Sequence, residues 1–106
     1  MTEHDQQRGQ HTLDEAVATA ILRRLRRGPL SEVEAEALLR PEWGCRWYQW
    51  QRLRVRRPAA LRVQITSGRR ALVQRAMARL RRAGCIEVLY GRKPQRCYGL
   101  TPKGAP

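Results

Sequence analysis

The chain has 106 residues and a formal net charge of +13 at pH 7. A chain of this length buries one modest hydrophobic core, so we expect a single small domain. Its charge makes a polyanion the leading class of partner. No apolar run approaches the roughly 18 residues of a membrane span, and no signal peptide opens the chain, which predicts a soluble intracellular protein.

The positive charge is concentrated after residue 40. Residues 1–40 carry six Arg and seven Asp or Glu, a net charge of −1, whereas residues 41–106 carry 16 Arg or Lys and two acids, a net charge of +14. Arg outnumbers Lys by 20 to 2, and codon bias can explain that ratio. Codon bias does not explain the scarcity of acids, so we expect a basic surface in the C-terminal two thirds.

Metal-binding and catalytic residue patterns are missing from the sequence. The cysteines, Cys45, Cys85 and Cys97, are odd in number and lack C-x-x-C spacing, while His4 and His11 lie in a polar stretch. We therefore expect free thiols, with no metal site and no cofactor. The sequence has no Gly-rich phosphate loop before a Lys and no Ser/His/Asp arrangement, which predicts that the protein is not an enzyme.

Residues 1–40 predict two helices. Residues 1–11 are polar and aperiodic, as in a disordered tail. Thr12 and Glu15 form a possible capping box for a helix that ends near Arg27 and Gly28. Its predicted apolar face consists of Leu13, Val17, Ala20, Ile21 and Leu25.

The second helix has a clearer start signal. Ser31 and Glu34 form another capping box, and Leu30 and Ala35 are spaced as a hydrophobic staple. The helix should run to about Leu39 or Arg40, before Pro41. We expect the acids of both helices to face solvent.

An additional segment at 41–57 is rich in Trp and Arg. Trp43, Trp47 and Trp50 have i, i+4, i+7 spacing, which places three indoles on one helical face. They can fill the core of a chain that has no Phe, form a surface for a protein partner, or stack on single-stranded bases. We favour the core for Trp47 and expect Trp43 to be partly exposed.

Residues 58–66 fit two structures. Leu61, Val63 and Ile65 alternate with polar residues, as in a strand. A helix with Pro58 in its first turn is the alternative that we favour.

Residues 67–83 predict an amphipathic helix with a basic outer face. One arc is apolar and must face the core: Leu72, Val73, Ala76, Met77 and Leu80. The opposite arc contains Ser67, Ala71, Gln74, Arg75, Ala78 and Arg82, flanked by Arg70 and Arg81. A solvated face without a ligand is the alternative, but no acids balance these arginines.

The basic face suggests different roles for its members. Arg pairs with guanine and Gln with adenine, so Arg70, Gln74 and Arg75 are candidate base readers. Ser67, as N-cap, and Arg69 should lie at a helix N-terminus, where backbone N–H groups favour phosphate. We assign Arg81 and Arg82 to contacts with the nucleic-acid backbone.

A β-hairpin is predicted after Gly84. Ile86, Val88 and Tyr90 should alternate inward, and Tyr98 and Leu100 should return antiparallel to them. The predicted tip, residues 91–96, exposes Arg92, Lys93 and Arg96 to phosphates or a minor groove. An ordinary solvated hairpin tip is the alternative.

Two motifs in the last forty residues carry a resemblance to the winged helix-turn-helix family. They are Leu80-x-x-x-Gly84-x-Ile86, at the end of a recognition helix, and Tyr98-x-Leu100-Thr101-x-x-Gly104. The resemblance implies an α+β fold, a mostly helical winged helix-turn-helix domain over residues 12–106 with a C-terminal hairpin as its wing. Residues 59–66 resemble the end of the first helix of the motif, but the following turn is about three residues longer than the family pattern.

Together the resemblance and the charge predict a sequence-specific double-stranded DNA-binding protein. Its expected role is transcriptional regulation, in a bacterium, phage or mobile element, with a nucleoid-associated location. A homodimer is expected through the N-terminal helices or the Trp-rich segment, since one helix and one wing bury little DNA-facing area. Two alternatives are an RNA-binding component of a ribonucleoprotein and an adaptor that docks on a protein through Trp43, Trp47 and Trp50.

Overall fold

The computed structural model describes the backbone of residues 3–50, 58–92 and 95–104, and the side chains of residues 12–46, 66–92 and 95–104. It is an α+β fold with a small antiparallel sheet. The elements in chain order are α1 (Glu3–Leu25), β1 (Leu30–Ser31), α2 (Glu32–Leu38), α3 (Pro41–Trp50), α4 (Pro58–Arg82), β2 (Ile86–Tyr90) and β3 (Cys97–Leu100).

Helix α1 starts earlier than its sequence signals predict. It begins at Glu3, so the predicted start at Thr12 is wrong, and the backbone of residues 3–11 is helical where a disordered tail was expected. Once a packed segment has nucleated a helix, each further residue adds a hydrogen bond at little cost. Glu3, Gln6, Gln7 and Arg8 are good helix formers, which explains the extension.

The predicted capping box of α2 is confirmed. The Glu34 backbone N–H donates to the Ser31 hydroxyl at 3.1 Å, and the Ser31 N–H donates to the Glu34 carboxylate at 3.3 Å. Leu30 and Ala35 are both buried, as a staple requires. The short strand β1 was not predicted, because two residues show no periodicity.

The close crossing of α3 and α4 depends on two glycines. A Cβ added to Gly68 of α4 would lie 2.7 Å from both the Cα and the carbonyl carbon of Gly44 in α3. Only glycine leaves room for backbones at this separation. Trp43 of α3 is half-buried against the core, as predicted, whereas Trp47 and Trp50 have side chains outside the described residues.

Helix α4 is continuous from Pro58 to Arg82. The helix favoured for residues 58–65 is confirmed, and the predicted turn before residue 67 is absent. Ser67 is therefore not an N-cap, and Arg69 does not lie at a helix N-terminus. Thr66, Ser67 and Gly68 do not break the helix, because the contact with α3 overrides their low helix propensity.

The end of α4 is joined to the hairpin by the two motifs noted above. Gly84 has φ 78°, and the Cys85 N–H donates to the Leu80 carbonyl at 2.9 Å, as in a Schellman cap. The Thr101 hydroxyl donates to the Gly84 carbonyl, and the Thr101 N–H donates to the Cys85 carbonyl at 3.0 Å. These bonds fix the hairpin to the helix end.

The sheet has the strand order β1-β3-β2, and both pairings are antiparallel. Ile86 and Tyr98 are buried as predicted. Tyr90 is 67% exposed, so its predicted inward direction is wrong. The register of β2 shifts between Val88 and Tyr90, and such a bulge changes the face to which later side chains point.

The core lies between α1, α2, α4 and the sheet. All five predicted core residues of α4 are buried, and so are four of the five predicted for α1. Ala20 is only half-buried, and Ala18 takes its place in the core. The helical period of the apolar residues thus identified nearly all the buried residues of these two helices.

Candidate nucleic-acid interface

The outward face of α4 carries most of the predicted contact residues. Arg70, Gln74, Arg75, Arg81 and Arg82 are exposed. Ser67 and Arg69 are half-buried, and the Arg69 Nε is buried without a hydrogen-bond partner among the described residues. The exposed face therefore begins at Arg70 rather than at Ser67.

A groove runs along this face. Its volume is about 550 Å³, and it is lined by Asp14, Ala71, Gln74, Arg75, Ala76, Ala78, Arg79 and Arg82. Ala78 also borders a shallow depression with Arg81 and Arg82. Because its side chain is a single methyl group, Ala78 leaves space for a ligand between surrounding arginines.

Arg79 is a groove residue that the sequence analysis missed. It is exposed and lines the groove beside Arg75 and Arg82. Its i+4 spacing from Arg75 and i+3 spacing to Arg82 place it on the same side of the helix, and this spacing is visible in the sequence.

Arg75 forms an ion pair with Asp14 of α1. The Arg75 Nη2 donates to Asp14 Oδ2 at 2.8 Å, and the Arg75 Nε donates to Oδ1 at 3.4 Å. The Asp14 side chain is 19% exposed and that of Arg75 is 45% exposed. The guanidinium therefore has a fixed orientation at the groove while much of its surface stays accessible.

Arg70 forms a similar pair with Glu36 of α2. The Arg70 Nε donates to Glu36 Oε1 at 3.0 Å, and the two side chains are 55% and 19% exposed. The prediction that acids of the first two helices face solvent is thus wrong for Asp14 and Glu36. Packing of α1 and α2 against α4 brings these carboxylates to the arginines.

The remaining arginines of the face have no such acids. Within the described side chains, no carboxylate lies within ion-pair distance of Arg79, Arg81 or Arg82. The Arg82 Nε donates to the Ala78 carbonyl of its own helix, at 3.4 Å. These three residues leave a net positive potential around Ala78.

A buried polar cluster connects α2 with the hairpin. Glu32 is buried, with 5% of its surface exposed, and accepts a hydrogen bond from the Tyr98 hydroxyl at 2.9 Å. Burial raises the pKa of Tyr98, and the bond to Glu32 raises that pKa further, against a lowering by the Arg96 guanidinium. The solvent-facing direction predicted for the acids is wrong for Glu32 too.

Arg96 belongs to this cluster rather than to the hairpin tip. It is half-buried, and its carbonyl accepts a hydrogen bond from the Glu32 N–H at 3.0 Å. Its predicted exposure is therefore wrong, because β3 packs against β1. Arg96, Gln74 and Arg81 all line a small cavity of about 40 Å³. This cavity lies between the base of the hairpin and the outward face of α4.

The hairpin tip is described only in part. Arg92 is exposed, as predicted, while Lys93 lies outside the described residues. The Gln95 N–H donates to the Arg92 carbonyl at 2.7 Å and closes the turn.

Among the described residues, no group of three His, Cys, Asp or Glu side chains could hold a metal ion, and the three cysteines are free thiols. No helix searched over the same residues is long and apolar enough to cross a membrane.

No protein-family model matches this chain, and neither a curated protein nor a solved structure matches it.

Proposed function

We propose that the protein binds double-stranded DNA in a sequence-specific manner and regulates transcription. The observation that carries this proposal is the basic groove around Ala78 on the exposed face of α4. Arg79, Arg81 and Arg82 supply charge there that no described acid balances. A helix of this kind fits the major groove, where Arg and Gln can pair with base edges.

The order of the elements supports the interpretation of the fold as a winged helix-turn-helix. Helix α2 packs against α4, and the hairpin follows α4 directly, joined to it at Gly84 and Thr101. In this proposal α2 is the first helix of the motif, and the second half of α4 is the recognition helix. Helix α3 and the first half of α4 then form an insertion between the two helices of the motif. Residues 59–66, which resemble the end of the first helix, instead belong to the unbroken α4.

The proposal divides the contacts between the helix and the hairpin. Gln74, Arg75 and Arg79 line the groove and are assigned to base edges. Arg70 is assigned to base edges less directly, because it lies outside the lining of the groove. Arg81, Arg82, Arg92 and Lys93 are assigned to phosphates. A homodimer is part of the proposal, since one helix and one hairpin bury little DNA-facing area.

Selection of bound sequences from random duplexes, followed by fluorescence anisotropy with the selected duplex, tests the proposal. Replacing Arg79 and Arg82 together with Gln should weaken binding about tenfold or more, because the base contact assigned to Arg79 is worth about 1–3 kcal/mol and the loss of Arg82 removes a phosphate contact as well. Replacing Arg23 and Arg26, two exposed arginines at the end of α1, removes the same charge and should change affinity little.

Competition distinguishes DNA from RNA as the ligand. Unlabelled selected duplex should displace the labelled duplex at lower concentration than a structured RNA does. Stronger displacement by the RNA, or equal losses in the two double variants, would contradict the proposed interface.

A further inference from the structure

Asp14 is a carboxylate from another helix that lies in the candidate interface. It belongs to α1, and it lines the groove of α4 together with Gln74, Arg75 and Arg79. A negative charge at this place opposes the approach of a polyanion. General affinity for DNA therefore does not explain why a carboxylate lies in this groove.

The geometry of the pair with Arg75 supplies such a reason. Both carboxylate oxygens of Asp14 accept from the guanidinium, at 2.8 and 3.4 Å, through Nη2 and Nε. Two parallel bonds fix the plane of the guanidinium as well as its distance. The Asp14 side chain is mostly buried, so the acid itself has little freedom to move.

A fixed guanidinium favours recognition of one base over another. A long arginine side chain loses rotamer freedom when it binds, and a side chain that is already oriented loses less. The negative charge of Asp14 lowers the affinity for every duplex. The fixed orientation of Arg75 raises the affinity only for a duplex whose base edge fits the guanidinium. The net effect is lower general affinity and higher discrimination.

We propose that Asp14 is a specificity-determining residue that acts through Arg75. Asp14 holds the Arg75 guanidinium in the orientation that pairs with the O6 and N7 acceptors of a guanine in the major groove. Asp14 is thus a positioning residue and touches no base itself. This inference rests on the proposed DNA-binding function.

Asp14→Asn tests the inference because Asn keeps the shape of the side chain and removes its charge. Affinity is measured by anisotropy for the duplex that the parent selects from a random library and for a shuffled duplex of equal composition. The variant should bind the shuffled duplex more tightly and lose about tenfold in discrimination between the two. A structural role alone would lower the melting temperature and change both affinities in the same proportion.

Glu42→Gln is the matched control. Glu42 also faces an arginine, Arg40, at 4.0 Å, but neither residue lines the groove. This variant removes the same charge and should leave the discrimination unchanged. An equal loss of discrimination in both variants would overturn the role of Asp14.

Two changes at Arg75 complete the test. In an Arg75→Ala background, Asp14→Asn should have no further effect on discrimination, because Asp14 acts through the missing guanidinium. Arg75→Lys keeps the charge but loses the planar donor pair, so it should lose discrimination as Asp14→Asn does. The lysine variant keeps the test valid if Asp14→Asn does not fold.

The possible failures are distinguishable. Parent protein that binds no duplex contradicts the proposed function itself. Parent protein that binds duplex DNA without a preferred sequence contradicts the sequence-specific part of the proposed function and, with it, the inference about Asp14. Equal increases in affinity for both duplexes in Asp14→Asn also overturn it, because they show that Asp14 lowers affinity without selecting a base.

Discussion

Glu32 and Tyr98 show how a single pair of side chains can connect distant parts of the chain. Glu32 starts α2 and is the charged residue that is buried among the described side chains. Tyr98, in the central strand of the sheet, donates its hydroxyl to that carboxylate. A buried carboxylate without a donor is costly, so this bond should stabilise the contact between α2 and the hairpin.

Tyr98→Phe should destabilise the fold at pH 7 by about 1–3 kcal/mol, since it leaves the buried Glu32 oxygen without its donor. Urea denaturation followed by circular dichroism measures this free energy of unfolding. Tyr90→Phe removes an exposed hydroxyl and should leave stability at pH 7 close to that of the parent. Equal stability of the two variants would show that the bond to Glu32 contributes nothing.

The stability of the parent should also fall above about pH 10. The pKa of Tyr98 is raised in the folded state, so the unfolded chain loses the phenolic proton at a lower pH than the folded chain does. Deprotonation therefore favours unfolding. The stabilising contribution is fully present below the unfolded pKa and is lost as the pH rises through the folded one. Tyr98→Phe should show a shallower loss over this range.

At the scale of elements, α4 has two roles in one helix. Its first half meets α3 at Gly44 and Gly68, and its second half carries the core residues and the basic face. Because α4 has no break, its contact with α3 also fixes the direction of the basic face. The glycine crossing therefore influences where the candidate interface points.

Gly68→Ala should lower stability although alanine favours helices. Helix propensity alone predicts a gain of about 1 kcal/mol. The new Cβ would meet the Gly44 backbone, which cannot rotate away as a side chain can, so we expect a net loss of about 1–3 kcal/mol. The measurement is thermal melting by circular dichroism.

Thr66→Ala serves as the control for this change. Thr66 is exposed two residues earlier in the same helix, so alanine there should raise stability by a few tenths of a kcal/mol. A higher melting temperature for Gly68→Ala would contradict the close approach of α3 and α4.

At the scale of the whole molecule, charge is segregated along the chain but mixed in space. The acids come mostly from residues 1–40, and the excess of positive charge comes from residues 41–106. Folding places Asp14 and Glu36 beside arginines of α4 and leaves Arg79, Arg81 and Arg82 without a described acid. Among the described side chains, the positive potential should therefore be strong around Ala78.

Binding to duplex DNA should depend steeply on salt. If about six phosphates are neutralised, log affinity should fall against log salt with a slope of roughly −5. Replacing Arg92 and Lys93 with Gln should make the slope less steep by about two and weaken all sequences equally. Anisotropy over a range of salt concentrations measures both effects. A slope near zero for the parent would remove the electrostatic basis of the proposed function.

Much of the local structure could be predicted from the sequence. The buried face of α4, the capping box at Ser31 and the helix end at Gly84 were identified correctly. Each depends on residues a few positions apart, through the helical period or a cap, and such patterns are visible in the sequence. The exposed direction of Gln74 and Arg82 followed from the same period.

Other features depended on packing between distant segments. Asp14 and Arg75 are 61 residues apart, and Glu32 and Tyr98 are 66 apart, so no local pattern relates them. The unbroken course of α4 through Ser67 follows from its contact with α3, and the outward direction of Tyr90 follows from a shift in strand register. The sequence alone determined which face of α4 is basic, through the period of one helix. Only the tertiary structure decided which arginines of that face meet an acid, because the partners come from helices whose positions are set by the common core.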